Sequence, residues 1–117
     1  LWRNSYYNNK ESLTPFLGNM KDIKPILTSI YSIVKENIKC DYQLFLFGSR
    51  VTGTNSDKAD IDVGIIPAQL LSPKQIQSIK EKIEEIPTLL KIDFIDFTTV
   101  SDDFRSIALK HTKKIVL

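Results

Sequence analysis

Two aspartates, Asp60 and Asp62, stand in an otherwise apolar run of strand length, ADIDVGII at 59–66. Side chains alternate between the faces of a strand, so residues two apart share one face. Both carboxylates therefore leave the same face. Like charges side by side cost free energy unless a cation lies between them. Gly64 and Ile66 continue that face without polarity, so the acidity is concentrated at the start of the strand. Ligands that are all oxygen favour a hard ion such as Mg2+.

The segment before it leads into this strand. YQLFLF at 42–47 is too short and aromatic for a helix and reads as a strand. It is apolar on both faces, so it is expected to be central. It ends in Gly48-Ser49, with a second glycine at Gly53 and a polar loop over 54–58. Glycines at a strand-to-helix turn let backbone amides approach phosphate oxygens. Ser49 adds a hydroxyl, and Arg50 adds charge-assisted contacts if it points inward. The spacing of Gly48 and Gly53 is that of a Walker A loop, but Thr54-Asn55 replaces the required Lys-Ser or Lys-Thr.

A third acidic position lies in KIDFIDF at 91–97. Asp93 shares strand parity with Ile95 and Phe97, and Asp96 shares it with Ile92 and Phe94. Only one of the two can readily join the Asp60–Asp62 face, and parity alone does not choose. Asp96, near the strand end, reads as a turn-amide acceptor. Three carboxylates from two strands beside a phosphate-binding turn are the parts of a two-metal phosphoryl or nucleotidyl transfer site, with ions about 3.5–4 Å apart. Asp93 is a candidate general base.

The remaining chain supplies the scaffold. Ile23, Ile26, Leu27, Ile30, Val34 and Ile38 recur at helical spacing, which predicts a helix over 23–37 with Pro25 in its first turn. Ser72-Pro73-Lys74-Gln75 reads as a capping box opening a helix with an Ile76, Ile79, Ile83, Ile86 stripe, stopped by Pro87. A strand is expected over 89–97. A last helix follows Ser101, with Phe104, Ile107 and Ala108 inward, and a short edge strand over 115–117. The order α, β, short α, β, α, β, α, β implies an α/β or α+β domain with helices on one face of a sheet, leaving the other face for chemistry. Residues 20–117 form that domain. Residues 1–19, with Trp2, Tyr6 and Tyr7, are expected to be a loosely ordered arm or a non-native leader before a plausible start at Met20.

Several function classes lose support. A net charge of +2 gives no whole-chain argument for nucleic acid or membrane. No apolar run spans a bilayer, and the first residues lack the apolar block of a signal peptide. Cys40, the single cysteine, fits a reducing cytoplasm and reads as a packing thiol. His111, the single histidine, sits among lysines and supports neither a triad nor a zinc site.

Gly48-Ser49, then Asp60-Ile61-Asp62 after ten residues, then Asp93 between apolar residues resembles the DNA polymerase beta-like nucleotidyltransferase superfamily. Within it, FGSRVTGTNSDKADIDVGI and KIDFIDFTTVSDDFRSIALKH are similar to the minimal nucleotidyltransferases of bacteria and archaea. The resemblance runs from about residue 20 to the end. It implies a mixed sheet with helices on one face and Mg2+-dependent use of ATP. Gly48 and Ser49 would hold phosphate, Asp60 and Asp62 would bind both metals, and Asp93 would be the third carboxylate. Such proteins are commonly antitoxins paired with a helical HEPN RNase toxin encoded nearby, and transfer AMP to a tyrosine of it. Two further readings are a non-catalytic antitoxin that occludes its partner and a small-molecule nucleotidyltransferase of the aminoglycoside type. One departure is Ala59, where many relatives carry serine.

Overall fold

The computed structural model describes residues 17–53 and 58–116, with side chains from residue 23 onward. Trp2, Tyr6, Tyr7 and most of the 54–58 loop lie outside the described residues.

Helix α1, Leu17–Asn37, buries the predicted stripe. Ile23, Ile26, Leu27, Ile30, Val34 and Ile38 are all in the core. The helix starts six residues earlier than expected, so Pro25 lies inside it rather than in its first turn. Pro25 is on the exposed side, where one missing ladder donor is tolerated better than in a buried turn. Helix α3, Pro73–Glu84, opens with the expected capping box: Ser72 Oγ accepts from the Gln75 amide and Gln75 Oε1 accepts from the Ser72 amide. It buries Ile79 and Ile83 against the same layer.

Four strands form one mixed sheet. Strand β1, Tyr42–Phe47, pairs antiparallel with β2, Ile61–Pro67, and β2 pairs parallel with β3, Ile92–Asp96. Strand β4, Lys113–Lys114, pairs with β1, giving the order β3-β2-β1-β4. β1 is internal, as its two apolar faces required. The edge strand falls at Lys113–Lys114 rather than 115–117, although the Ile115 amide still donates to Leu44; Leu117 lies outside the described residues. β3 is shorter than expected at its start. The Leu90 amide turns onto Thr88 Oγ1 instead of a strand neighbour, and Leu89 is fully exposed.

The two faces differ in chemistry. Leu44, Leu46, Ile61, Val63, Ile65 and Phe94 face α1 and α3. Phe45, Phe47 and Phe97 form a separate cluster on the opposite face, with Phe97 edge-on to both at 5.0 and 5.2 Å between centroids. The two long helices thus share one face. The short helix α4, Asp102–Ala108, sits beside the phenylalanines on the other, capped by Ser101 Oγ. It is anchored by a fork from Arg105 Nε and Nη2 to the Phe97 carbonyl, at 3.1 and 2.6 Å. No residue of α4 is fully buried, but Ala108 packs on the phenylalanine cluster and Phe104, 40% exposed, meets Phe47 and Phe97; Ile107, 68% exposed, departs from the expectation that all three face inward.

Gly64 lets the phenylalanine cluster lie flat on β2. A Cβ there would stand 2.5 Å from Phe45 Cζ and 2.6 Å from Phe97 Cε1. Gly64→Ala should cost about 1–3 kcal/mol by overpacking, and Phe45→Leu on that background should recover part of the loss; urea unfolding measures both.

Candidate active site

Phe47 lies opposite Asp62 in the β1–β2 register. The next residue, Gly48, therefore turns directly over that carboxylate. Gly48 has φ +80°, a left-handed value that a side chain resists. A Cβ would also collide with Asp62 Oδ2. Two independent requirements, conformation and space, thus fix glycine here. The chain then makes the single turn of α2, Ser49–Thr52, whose start has no side-chain cap. The Val51 and Thr52 amides return to the Gly48 carbonyl at 3.0 and 3.3 Å. Gly53 closes the turn at φ +82°, its amide donating to Ser49.

Parallel pairing of β2 with β3 sets Asp62 in register with Asp93. Asp62 and Asp93 leave the face opposite α1 and α3, side by side. Asp96 has the other parity and is engaged in its own turn, its Oδ1 accepting from the Thr98 amide at 2.9 Å and hydroxyl at 2.8 Å. The alternative left open by sequence parity is thereby resolved: Asp93, not Asp96, meets Asp62. Asp60 precedes β2 and is exposed at the lip of the pair.

The electrostatics follow from this crowding. Burial raises the Asp62 pKa above its ordinary value. The charges of Asp93 and Asp60 and a hydrogen bond to Asp93 push it the same way, while Lys91 opposes them. Lys91 Nζ lies 3.8 Å from Asp93 Oδ1, and both are solvent-accessible, so their pairing contributes little to stability. Sequence reading did not single out Lys91. Its signal was strand parity, two residues before Asp93.

The cluster suits a hard divalent cation in its chemistry: it offers oxygen donors only, and a cation there would relieve the crowding of like charges that, after burial, raises the Asp62 pKa. It is not closed. Among the described residues, no three His, Cys, Asp or Glu side chains are gathered tightly enough to enclose an ion; Asp60 stands apart from the touching pair.

Arg50 does not present its charge at the surface of the turn. It is 4% exposed, and Nε and Nη2 fork onto the Ala59 carbonyl at 3.2 and 2.9 Å. The arginine ties α2 to the residue before Asp60. Cys40 packs at the edge of the helical core, as expected of a packing thiol. Among the described residues, no helix is long and apolar enough to cross a membrane.

Comparison with known proteins adds an independent line. A family model described as polymerase beta, nucleotidyltransferase matches residues 28–117. A Haemophilus influenzae protein named probable protein adenylyltransferase MntA is 33% identical over 89 residues, 76% of this chain and 78% of that one. A solved toxin-antitoxin structure with AMP-PNP has a TM-score of 0.64 at 21% identity, covering 77% of this chain and 72% of that one. A chain from the Shewanella oneidensis complex of a tri-AMPylated HEPN toxin with an MNT antitoxin has a TM-score of 0.61 at 18% identity, covering 80% and 71%. At these identities the structural likeness speaks to fold.

Asp62 binds its proton more tightly in the folded chain than in the unfolded one. Its ionisation therefore destabilises the metal-free fold above the raised pKa. That cost falls as pH drops through the raised value and is gone below the ordinary one. In chelator, Asp62→Asn should be more stable than the parent at neutral pH, and the difference should shrink toward about pH 4. Urea unfolding at stepped pH checks it; a variant less stable than the parent at neutral pH contradicts the like-charge pairing.

Proposed function

This chain belongs to the polymerase beta nucleotidyltransferase family, and we propose that it transfers AMP from ATP to a hydroxyl of a partner protein. The observation that carries this reading is the in-register Asp62–Asp93 pair beside the Gly48 turn, with Asp60 at its lip. We assign Asp60, Asp62 and Asp93 to hold Mg2+, which when bound supplies charge neutralisation of the triphosphate and a lower pKa for the attacking hydroxyl.

The protein's own groups have separable roles. Amides of Gly48 and Ser49, with the Ser49 hydroxyl, receive phosphate oxygens, and Gly53 ends the turn so that these donors stay together. Asp93, on the outer strand, takes the proton of the acceptor hydroxyl. The acceptor oxygen then bonds to the α-phosphorus, the bond from that phosphorus to the bridging oxygen breaks, and pyrophosphate leaves. Arg50, bound to the Ala59 carbonyl, serves as a brace for the aspartate segment in place of the phosphate contact expected from sequence.

The partner we assign is a helical HEPN-type toxin, with this chain as its cytoplasmic antitoxin. Support comes from the curated relative named as a protein adenylyltransferase and from the fold shared with chains of toxin-antitoxin complexes. A second reading, neutralisation by occlusion without chemistry, draws on one observation, the open placement of Asp60.

Incubation with the HEPN-type protein encoded beside it, Mg2+ and ATP labelled in the α-phosphate should label the partner. Asp60→Asn with Asp62→Asn should abolish the label, and Asp93→Asn should slow it by about 10²–10⁴-fold. No label with the wild-type chain, together with full toxin neutralisation by the double variant, would establish occlusion instead.

A further inference from the structure

Lys91 stands beside the carboxylates, and the reaction proposed above gives it no role. It immediately precedes β3 and, by strand parity, leaves the same face as Asp93. Its Nζ lies 3.8 Å from Asp93 Oδ1. Its main chain is held at the head of the β2–β3 ladder, where the Lys91 carbonyl accepts from the Ile61 amide at 2.8 Å. The register sets Ile61 beside Ile92 and Asp62 beside Asp93, so Asp60 and Lys91 stand one position back along the two strands. Three acids and one ammonium thus share one patch. We propose that Lys91 is a positioning residue that competes with the divalent cation for Asp93. Its ammonium holds that carboxylate in the metal-free chain and has to release it for a divalent cation to be held there. The proposal rests on the assignment of Asp60, Asp62 and Asp93 to the metal.

Charge is the first argument. Arg50, the basic residue of the turn, is 4% exposed and forks onto the Ala59 carbonyl. Lys91 instead pairs with Asp93, and its charge opposes the acidic crowding at Asp62. It therefore acts on both members of the touching pair. An ammonium carries one charge and imposes no fixed geometry. It offsets the crowding in part, where an ion of twice the charge that prefers oxygen ligands offsets more.

Freedom to move is the second argument. The side chains of Lys91 and Asp93 are 69% and 36% exposed, and ion pairs that open to solvent are weak. A divalent cation can displace such a partner. The bond to Ile61 uses main chain only, so the ammonium can swing away while the strand stays paired. It also has somewhere to go. Glu84 of α3 lines the same hollow as Lys91 and Asp93, and it is an acid outside the catalytic cluster.

Titration of the full chain with Mn2+, a divalent ion that also takes oxygen ligands, tests this without nucleotide and at low ionic strength. Free Mn2+ is read from its paramagnetic resonance signal. Lys91→Met and Lys91→Gln should each bind Mn2+ about two- to fivefold more tightly than wild type, the scale of an exposed ion pair. Lys91→Arg, which keeps the charge, should stay near wild type. Lys74→Met, the same loss of charge at the opposite end of α3 from Glu84, should change nothing. A side chain needed only for structure would weaken binding when removed. Unchanged or weaker binding by both neutral variants, or tightening matched by Lys74→Met, overturns the competition and spares the carboxylate site. Failure of wild type to bind Mn2+, with or without ATP, overturns the metal assignment itself.

Discussion

The contact on which the rest of the molecule depends is repulsive. Asp62 and Asp93 lie directly across a parallel strand pair, an arrangement that two carboxylates alone would disfavour. Hydrophobic register holds them there. Ile61, Val63 and Ile65 point from β2 into the helical layer and are inaccessible to solvent. Phe94 does the same from β3. A slip of one residue would drive Asp62 into that core and expose its neighbours. Burial of the apolar face thus offsets the charge repulsion and sets where the carboxylates stand.

The opposite face shows how little cover such a site tolerates. A full helix over β2 would bury Asp62 and Asp93 completely. Three phenylalanines and the short α4 seal part of that face. The carboxylate end is left accessible, with Asp62 and Asp93 only partly buried. Gly64 is the hinge of this division: without a side chain it admits Phe45 and Phe97 against the strand, two residues along the same face from Asp62.

Periodicity carried most of the fold into view, because the α1 stripe and the β2 alternation each report one buried face. Residues that depend on tertiary placement were less legible. Asp93 and Asp96 differ only in parity, and choosing between them requires the β2–β3 register. Arg50 reads as a charge beside a phosphate turn; nothing local says that its guanidinium folds back onto the Ala59 carbonyl. Phe104 and Ile107 carry the same apolar signal, yet Phe104 meets the phenylalanine cluster while Ile107 is mostly exposed. Pro25 and Leu89 misled for another reason, since element ends are weakly marked: α1 begins before its apolar stripe, and β3 begins only after the Thr88 turn.

The fork from Arg50 grips main chain and ignores side chain. Any residue with a carbonyl in that place, which is every residue, can be held equally well. Substitution of alanine for the serine seen in many relatives therefore leaves this fastening intact. Lysine at 50, a point charge without a planar fork, could not grip the same oxygen twice.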